Sequence, residues 1–352
     1  IDVLPISLET SQDERDWYGR VERLEILGRP AYRVFASDFR VDRIVGLPGS
    51  AKQSYVDHLV RIAGQEGLTA LHVYGGFELR PFVGAVAAAR TGLPLIVSFR
   101  GSDIEQRIYS GDLAHFQAAL QVAELCVCMN TTAQRVIERL FNPRCPVRVV
   151  HNHVDPENFD ADARVQLDLR RPVVGCVGEF RRVMGLDFLL QAFAELESAF
   201  DASLLLVGPF KPTEAIYYSG LVDNLKYSQR VHRIGTVEHS RVLAFMKACD
   251  VLAFPSISDG SPNKILEAML AGCAVVAADV GGIPELIRDG IDGVLVPPRD
   301  SVGLASALAA LLKDEARRRT LGESARARVL AEFTPAHERA AWMKCYKEAG
   351  AC

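Results

Sequence analysis

Short apolar runs alternate with amphipathic stretches from one end of the chain to the other. LPLIVSF (93–99), ELCVCM (124–129) and VRVVHN (147–152) read as strands buried on both faces, because they are nearly continuous in apolar character. Between them PFVGAVAAARTG (81–92), HFQAALQVA (115–123) and TTAQRVIERLF (131–141) place apolar residues at helical spacing. The second half repeats the rhythm. RPVVGCVG, ASLLLVGPF, RVHRIG, DVLAFPS, CAVVAAD and GVLVPP read as strands, and GLDFLLQAFAEL, RVLAFMKA, PNKILEAMLAG and VGLASALAALLKD as helices. Apolar strands alternating with helices predict parallel sheets covered on both faces.

The rhythm breaks at NHVDPENFDADARVQLDLRRP (152–172), a polar stretch with proline near both ends and no helical period, which reads as an interdomain linker. The expected organisation is an N-terminal Rossmann-like domain at 1–160, a C-terminal Rossmann-like domain at 170–332, and a last helix, 333–352, returning toward the first domain with Trp342 and Tyr346 on its apolar stripe. Two such domains would form a cleft between the carboxyl ends of two sheets, the usual place for a ligand. The opening of the chain fits this scheme least. DVLPISL begins as a strand without the glycine-rich turn and helix that normally open a doubly wound domain. The N-terminal domain is therefore expected to be incomplete. Gly75 and Gly76 follow the strand ALHVY but lack the spacing of a phosphate loop, and read as an ordinary strand-end turn.

Composition narrows the classes without naming one. The chain has 352 residues, 49% of them hydrophobic, enough for two cores, with 40 basic against 44 acidic residues. Neither half is a basic face for nucleic acid, and no apolar run approaches the ~18 residues of a membrane span. Eight cysteines in a chain of this length are too dilute for a disulfide framework. Cys126 and Cys128 alternate within one strand and read as buried thiols, and no metal site is expected. The arginines of DEARRRTLGESARARVLAEF are interspersed with Asp314, Glu315 and Glu323 and read as a solvated helix face.

The chemistry concentrates in residues 255–298. The strand DVLAFPS runs into a loop containing Asp259, Gly260, Ser261 and Pro262, followed by a helix beginning near Asn263 and Lys264. A helix N-terminus at a sheet's carboxyl edge attracts phosphate through unpaired N–H groups and the helix dipole. Asp259 and Glu267, eight positions apart, can accept hydrogen bonds from the hydroxyls of a ribose or a hexose. Glu267 lies beside Leu266, Ala268 and Met269 in an otherwise apolar helix, where an unpaired buried carboxylate is costly.

This segment resembles the donor site of the retaining GT-B glycosyltransferases of glycosyltransferase family 4, also called group 1, whose signature is Glu, seven residues, Glu. Further landmarks follow in order: SFRGSD (98–103), VVHNHVD (149–155) and VGEFRRVMGLDFLL (177–190). The resemblance implies an α/β GT-B fold and transfer from a nucleotide-diphosphate sugar, without metal or other cofactor. By the same resemblance Glu267 would hold the ribose and Asp259 the sugar hydroxyls. The backbone from Gly260 and Ser261 through Pro262, Asn263 and Lys264 would face the diphosphate and sugar, and Gly235 would border the base. Departures are plain. Asp259 replaces the first Glu, and Arg100 stands where the family has a catalytic-loop His. Glu179 and Met184 replace its two diphosphate cations, leaving Arg181, Arg182 and Lys264 as candidates for that charge. These departures also fit a catalytically silent nucleotide-sugar module, the rival reading. The acceptor, whether glycan, lipid or small molecule, is not encoded in any motif. No nucleic-acid partner is expected, and the implied location is cytoplasmic, at most peripheral to the inner membrane.

Overall fold

A computed structural model describes residues 6–11, 20–26, 29–37, 50–75, 80–100, 103–104, 113–160 and 163–351. They form two compact units. The first comprises residues 1–128, 133–149 and 342–352, and the second 129–132 and 150–341.

In the first unit, strands β1 (Ile6–Ser11), β2 (Arg20–Ile26) and β3 (Arg29–Ser37) make a separate sheet of order β1-β3-β2, with β1 parallel and β2 antiparallel to β3. Helix α1 (Ser50–Glu66) leads into β4 (Leu71–Tyr74), α2 (Arg80–Thr91), β5 (Leu95–Ser98), α3 (Leu113–Val122), β6 (Leu125–Cys128), α4 (Thr131–Phe141) and β7 (Val147–Val149). Strands β4 to β7 form a parallel sheet in sequential order. Cys126 and Cys128 lie in its core with Leu95, Val97 and Phe116, and neither forms a disulfide. Gly75 adopts φ +92°, the turn at the end of β4; Gly76 lies outside the described residues.

In the second unit, β8 (Val173–Val177), α5 (Leu186–Phe200), β9 (Ser203–Val207), α6 (Ala215–Asp223), β10 (Val231–Ile234), α7 (Val242–Lys247) and β11 (Val251–Phe254) are followed by α8 (Asn263–Leu270), β12 (Val275–Ala278), α9 (Ile283–Leu286), β13 (Val294–Val296), α10 (Ser301–Lys313) and α11 (Glu315–Glu332). The last helix, α12 (Pro335–Glu348), passes from this unit into the first. The sheet order is β10-β9-β8-β11-β12-β13, all parallel. Alternate residues feed two separate cores. Val173, Val177, Leu205, Leu252 and Val275 face one, and Val174, Cys176, Leu204, Val251 and Val276 the other. Burial on both sides explains why these strands read as unbroken apolar runs.

Among the described residues of 152–172, Pro156–Asn158 forms a 3-10 turn capped by Asp155. Val165, Leu167 and Leu169 pack on the second unit's core, so residues 163–172 run along that unit. The sequence pattern passes over three helices. In α1 the buried set Tyr55, Val56, Leu59 and Ile62 has helical spacing that could have revealed it. In α6, Ile216 and Tyr217 are exposed beside buried Tyr218, which blurs the period, and α9 is a single turn. The arginine-rich helix has a structural job as well as a solvated face: Arg318 donates to the carbonyls of Leu311 and Leu312, closing the C-terminus of α10.

Candidate active site

The site is built where two loops at the carboxyl edge of the six-stranded sheet meet. Because β8 and β11 are neighbours, the loop 178–185 after β8 lies against the loop 255–262 after β11. The Ile257 N–H donates to the Val183 carbonyl at 2.8 Å. Gly185, at φ +68°, approaches so closely that a Cβ there would stand 2.0 Å from the Pro255 carbonyl oxygen. Only glycine serves both demands.

The second loop ends at the start of α8. Pro262 occupies the N-cap position, and no side chain caps this helix. Helices α10 and α11, by contrast, are capped by Asp300 and Asp314. No side chain competes for the first-turn N–H groups of α8, of which the Ile265 N–H meets the Pro262 carbonyl at 3.0 Å. Lys264 Nζ pairs with Asp259 Oδ2 at 3.1 Å, both side chains more than four-fifths buried. Glu267 lies one turn along, also largely buried, with His239 Nε2 3.9 Å from its carboxylate and the His239 ring 4.9 Å from that of Phe159. Burial pushes the Glu267 carboxyl above its usual range, and the positive fields of His239 and then Lys264 oppose that push. Gly260, Ser261 and Pro262 are buried, and Asn263 is exposed.

Asp259, Gly260, Ser261, Pro262, Asn263, Lys264 and Glu267 therefore share one loop and helix start. Met184 is 3% exposed and packs beneath Gly178 beside the Lys264 chain, while Glu179 is exposed. Arg181 and Arg182 are exposed in the same loop, and the Arg182 N–H donates to Glu214 at the foot of α6. Gly235 is exposed at the end of β10. Arg100 belongs to the first unit, at the end of β5, where its guanidinium stacks 4.5 Å over the Tyr74 ring and its N–H donates to Asp103. Sequence reasoning did not assign roles to Asn130, Asn152 or His239. Asn130 and Asn152 bind loop carbonyls 130 and 109 positions away, which no local pattern announces. Among the described residues no group of three or more His, Cys, Asp or Glu is placed to hold a metal ion.

A family model for glycosyl transferases group 1 matches residues 171–314. The chain carries a group 1 glycosyltransferase domain. The chain is 26% identical to N-acetyl-alpha-D-glucosaminyl L-malate synthase of Bacillus anthracis, over 78% of this chain and 73% of that protein. It is 32% identical to D-inositol 3-phosphate glycosyltransferase of Nocardia farcinica, over 54% of this chain and 44% of that one. Its fold is GT-B. Sucrose-phosphate synthase of Thermosynechococcus elongatus superposes with TM-score 0.77 at 22% identity, covering 98% of this chain and 89% of that one. Anabaena HepE, solved in complex with UDP, superposes with TM-score 0.72 at 21% identity, covering 92% and 86%. Among the described residues, no helix is long and apolar enough to cross a membrane.

Proposed function

We propose that the protein transfers a sugar from a nucleotide-diphosphate sugar to an acceptor hydroxyl, with retention of anomeric configuration and without a metal or other cofactor. The observation that carries this reading is the start of α8, where an uncapped helix N-terminus, the Asp259–Lys264 pair and largely buried Glu267 share one short segment. Glu267 accepts hydrogen bonds from the ribose hydroxyls, and Gly235 borders the base. The α8 N-terminus and Lys264 face the diphosphate, with Arg181 and Arg182 adding charge, and Asp259 accepts from the transferred sugar. Lys264 supplies charge-assisted bonds worth about 1.5–3 kcal/mol each. It stands in for the cations that Glu179 and Met184 do not provide.

In the reaction the bond between the anomeric carbon and the diphosphate oxygen breaks, and a bond from the acceptor oxygen forms on the same face. The acceptor's proton passes to the departing phosphate oxygen, so stabilising the charge on that phosphate is the main catalytic task. Arg100, always protonated at neutral pH, acts as a cation and not as a base. HepE, bound to UDP-glucose in one of its structures, supports a nucleotide-sugar donor, and the names of the relatives support glycosyl transfer to a small acceptor. The proposed location is cytoplasmic, at most peripheral to the inner membrane.

Incubation with UDP-, GDP-, ADP- and dTDP-sugars in chelator, with and without candidate acceptors, tests this reading. Proton NMR should show an anomeric signal of the donor's configuration in the product. An inverted anomer, or turnover only on adding metal, defeats the mechanism. Donor binding with no turnover in any arm identifies a silent binding module instead.

A further inference from the structure

The turn after β6 carries Asn130, 2% exposed. Its Nδ2 donates to the Gly260 carbonyl at 2.6 Å. Gly282 lies close to the same carbonyl. A Cβ at Gly282 would lie 2.0 Å from the Gly260 oxygen and 2.9 Å from the Asn130 Cβ, and the Gly282 N–H donates to the Asp259 carbonyl at 3.2 Å. The Gly260 carbonyl is thus held by the Asn130 amide, in a space that only a glycine at 282 leaves open.

A peptide group is planar, and in the trans form its C=O and N–H point opposite ways. Among the described residues the cis bond is Arg171–Pro172, so Gly260–Ser261 is trans. Fixing the Gly260 oxygen therefore fixes the Ser261 N–H on the far side of the same plane. One residue on, Asn152 Nδ2 holds the Ser261 carbonyl at 2.9 Å and Asn263 Oδ1 at 2.8 Å. Residue 262 is proline and offers no N–H, which leaves the Ser261 N–H as the last backbone donor before α8. The Ser261 hydroxyl is buried with no hydrogen-bond partner among the described residues, an unsatisfied polar group beside that donor.

We infer that Asn130 is a positioning residue for the transfer reaction: it holds the Gly260 carbonyl so that the Ser261 N–H is presented to the diphosphate of the nucleotide sugar. The inference rests on the donor-site reading above and adds a residue from a distant part of the chain. A merely structural Asn130 would satisfy one buried carbonyl and have no selective effect on phosphate.

Calorimetric titration of the full chain with UDP, GDP, ADP and dTDP first finds the base it binds. That nucleoside diphosphate and its parent nucleoside are then titrated into wild type, Asn130→Ala and Asn130→Asp. Alanine removes the donor, and aspartate keeps the shape but sets an acceptor against the carbonyl. Gly282→Ala crowds the same carbonyl with a new methyl group while leaving the Asn130 side chain in place. Diphosphate affinity should fall roughly tenfold in all three variants while nucleoside affinity stays within about twofold. Unchanged diphosphate affinity, or a loss shared equally by the nucleoside, overturns the positioning role and leaves the donor site standing. A wild-type chain that binds none of the four overturns the donor-site reading, and the positioning role falls with it.

Discussion

Glu267 carries its charge where the surroundings resist it. Burial raises its carboxyl above the usual range, and His239 and Lys264 only oppose that shift. A folded-state value above the unfolded one means that the group's stabilising contribution is fully present below about pH 4.5 and is lost as pH rises through the folded value. Glu267→Gln should therefore raise the Tm of the free protein at neutral pH, with the two proteins converging near pH 4. The same change replaces an acceptor by an amide donor, and nucleoside diphosphate affinity should fall on the order of a hundredfold. Melting curves at the two pH values and calorimetric titration check both halves. A lower Tm with unchanged affinity would make Glu267 a structural group. Glu267 was legible in the sequence because one carboxylate stands out among Leu266, Ala268 and Met269. Asn130 was not, since MNTT before a helix looks like ordinary capping and its partner lies 130 residues away.

At the scale of elements, α12 and β4 share a titratable joint. His72 on β4 is hydrogen-bonded through Nδ1 to the Tyr346 hydroxyl at 2.8 Å and through Nε2 to the Ser98 hydroxyl at 2.9 Å, and Trp342 lies 5.1 Å from its ring. Burial lowers its pKa to about 4. A depressed histidine stabilises the fold above its unfolded value of about 6.5, and that stability is lost as pH falls toward 4. The seating of α12 should thus weaken on acidification, by on the order of 3 kcal/mol in full. Urea unfolding at about pH 7.5 and pH 4.5 should show this loss in wild type, and His72→Gln should flatten it. An equal loss in both would assign the acid sensitivity elsewhere. The apolar stripe of α12 was readable from Trp342 and Tyr346. The polar partner was not, because a histidine inside a strand of apolar neighbours gives no sign of what covers it.

At the scale of the molecule, the second unit holds its own sheet, two cores and the loop from Asp259 to Glu267, and it also takes in Met129–Thr132 from the turn after β6. Expressed alone, residues 150–341 should fold and bind the parent nucleoside like the full chain. Having lost Asn130, they should bind the nucleoside diphosphate more weakly, again by roughly tenfold. Circular dichroism and the same titrations check this, and equal diphosphate affinity would count against it. By itself the sequence determined the alternation of parallel strands and helices, the buried faces and the loop that leads into the start of α8. Each of these is local: a period of two or 3.6 residues, or a run of proline and glycine before a helix, is set by near neighbours in the chain. Only the tertiary structure decided that β8 and β11 are neighbours, so that Gly185 meets Pro255 and the Lys264 chain lies against Gly178. It alone brought Asn130 to Gly260, Asn152 to Ser261 and Glu285 to the Thr131 N–H, 154 positions away. Such pairs are fixed by strand order and by the closeness of glycine backbones, and no short stretch of sequence contains either.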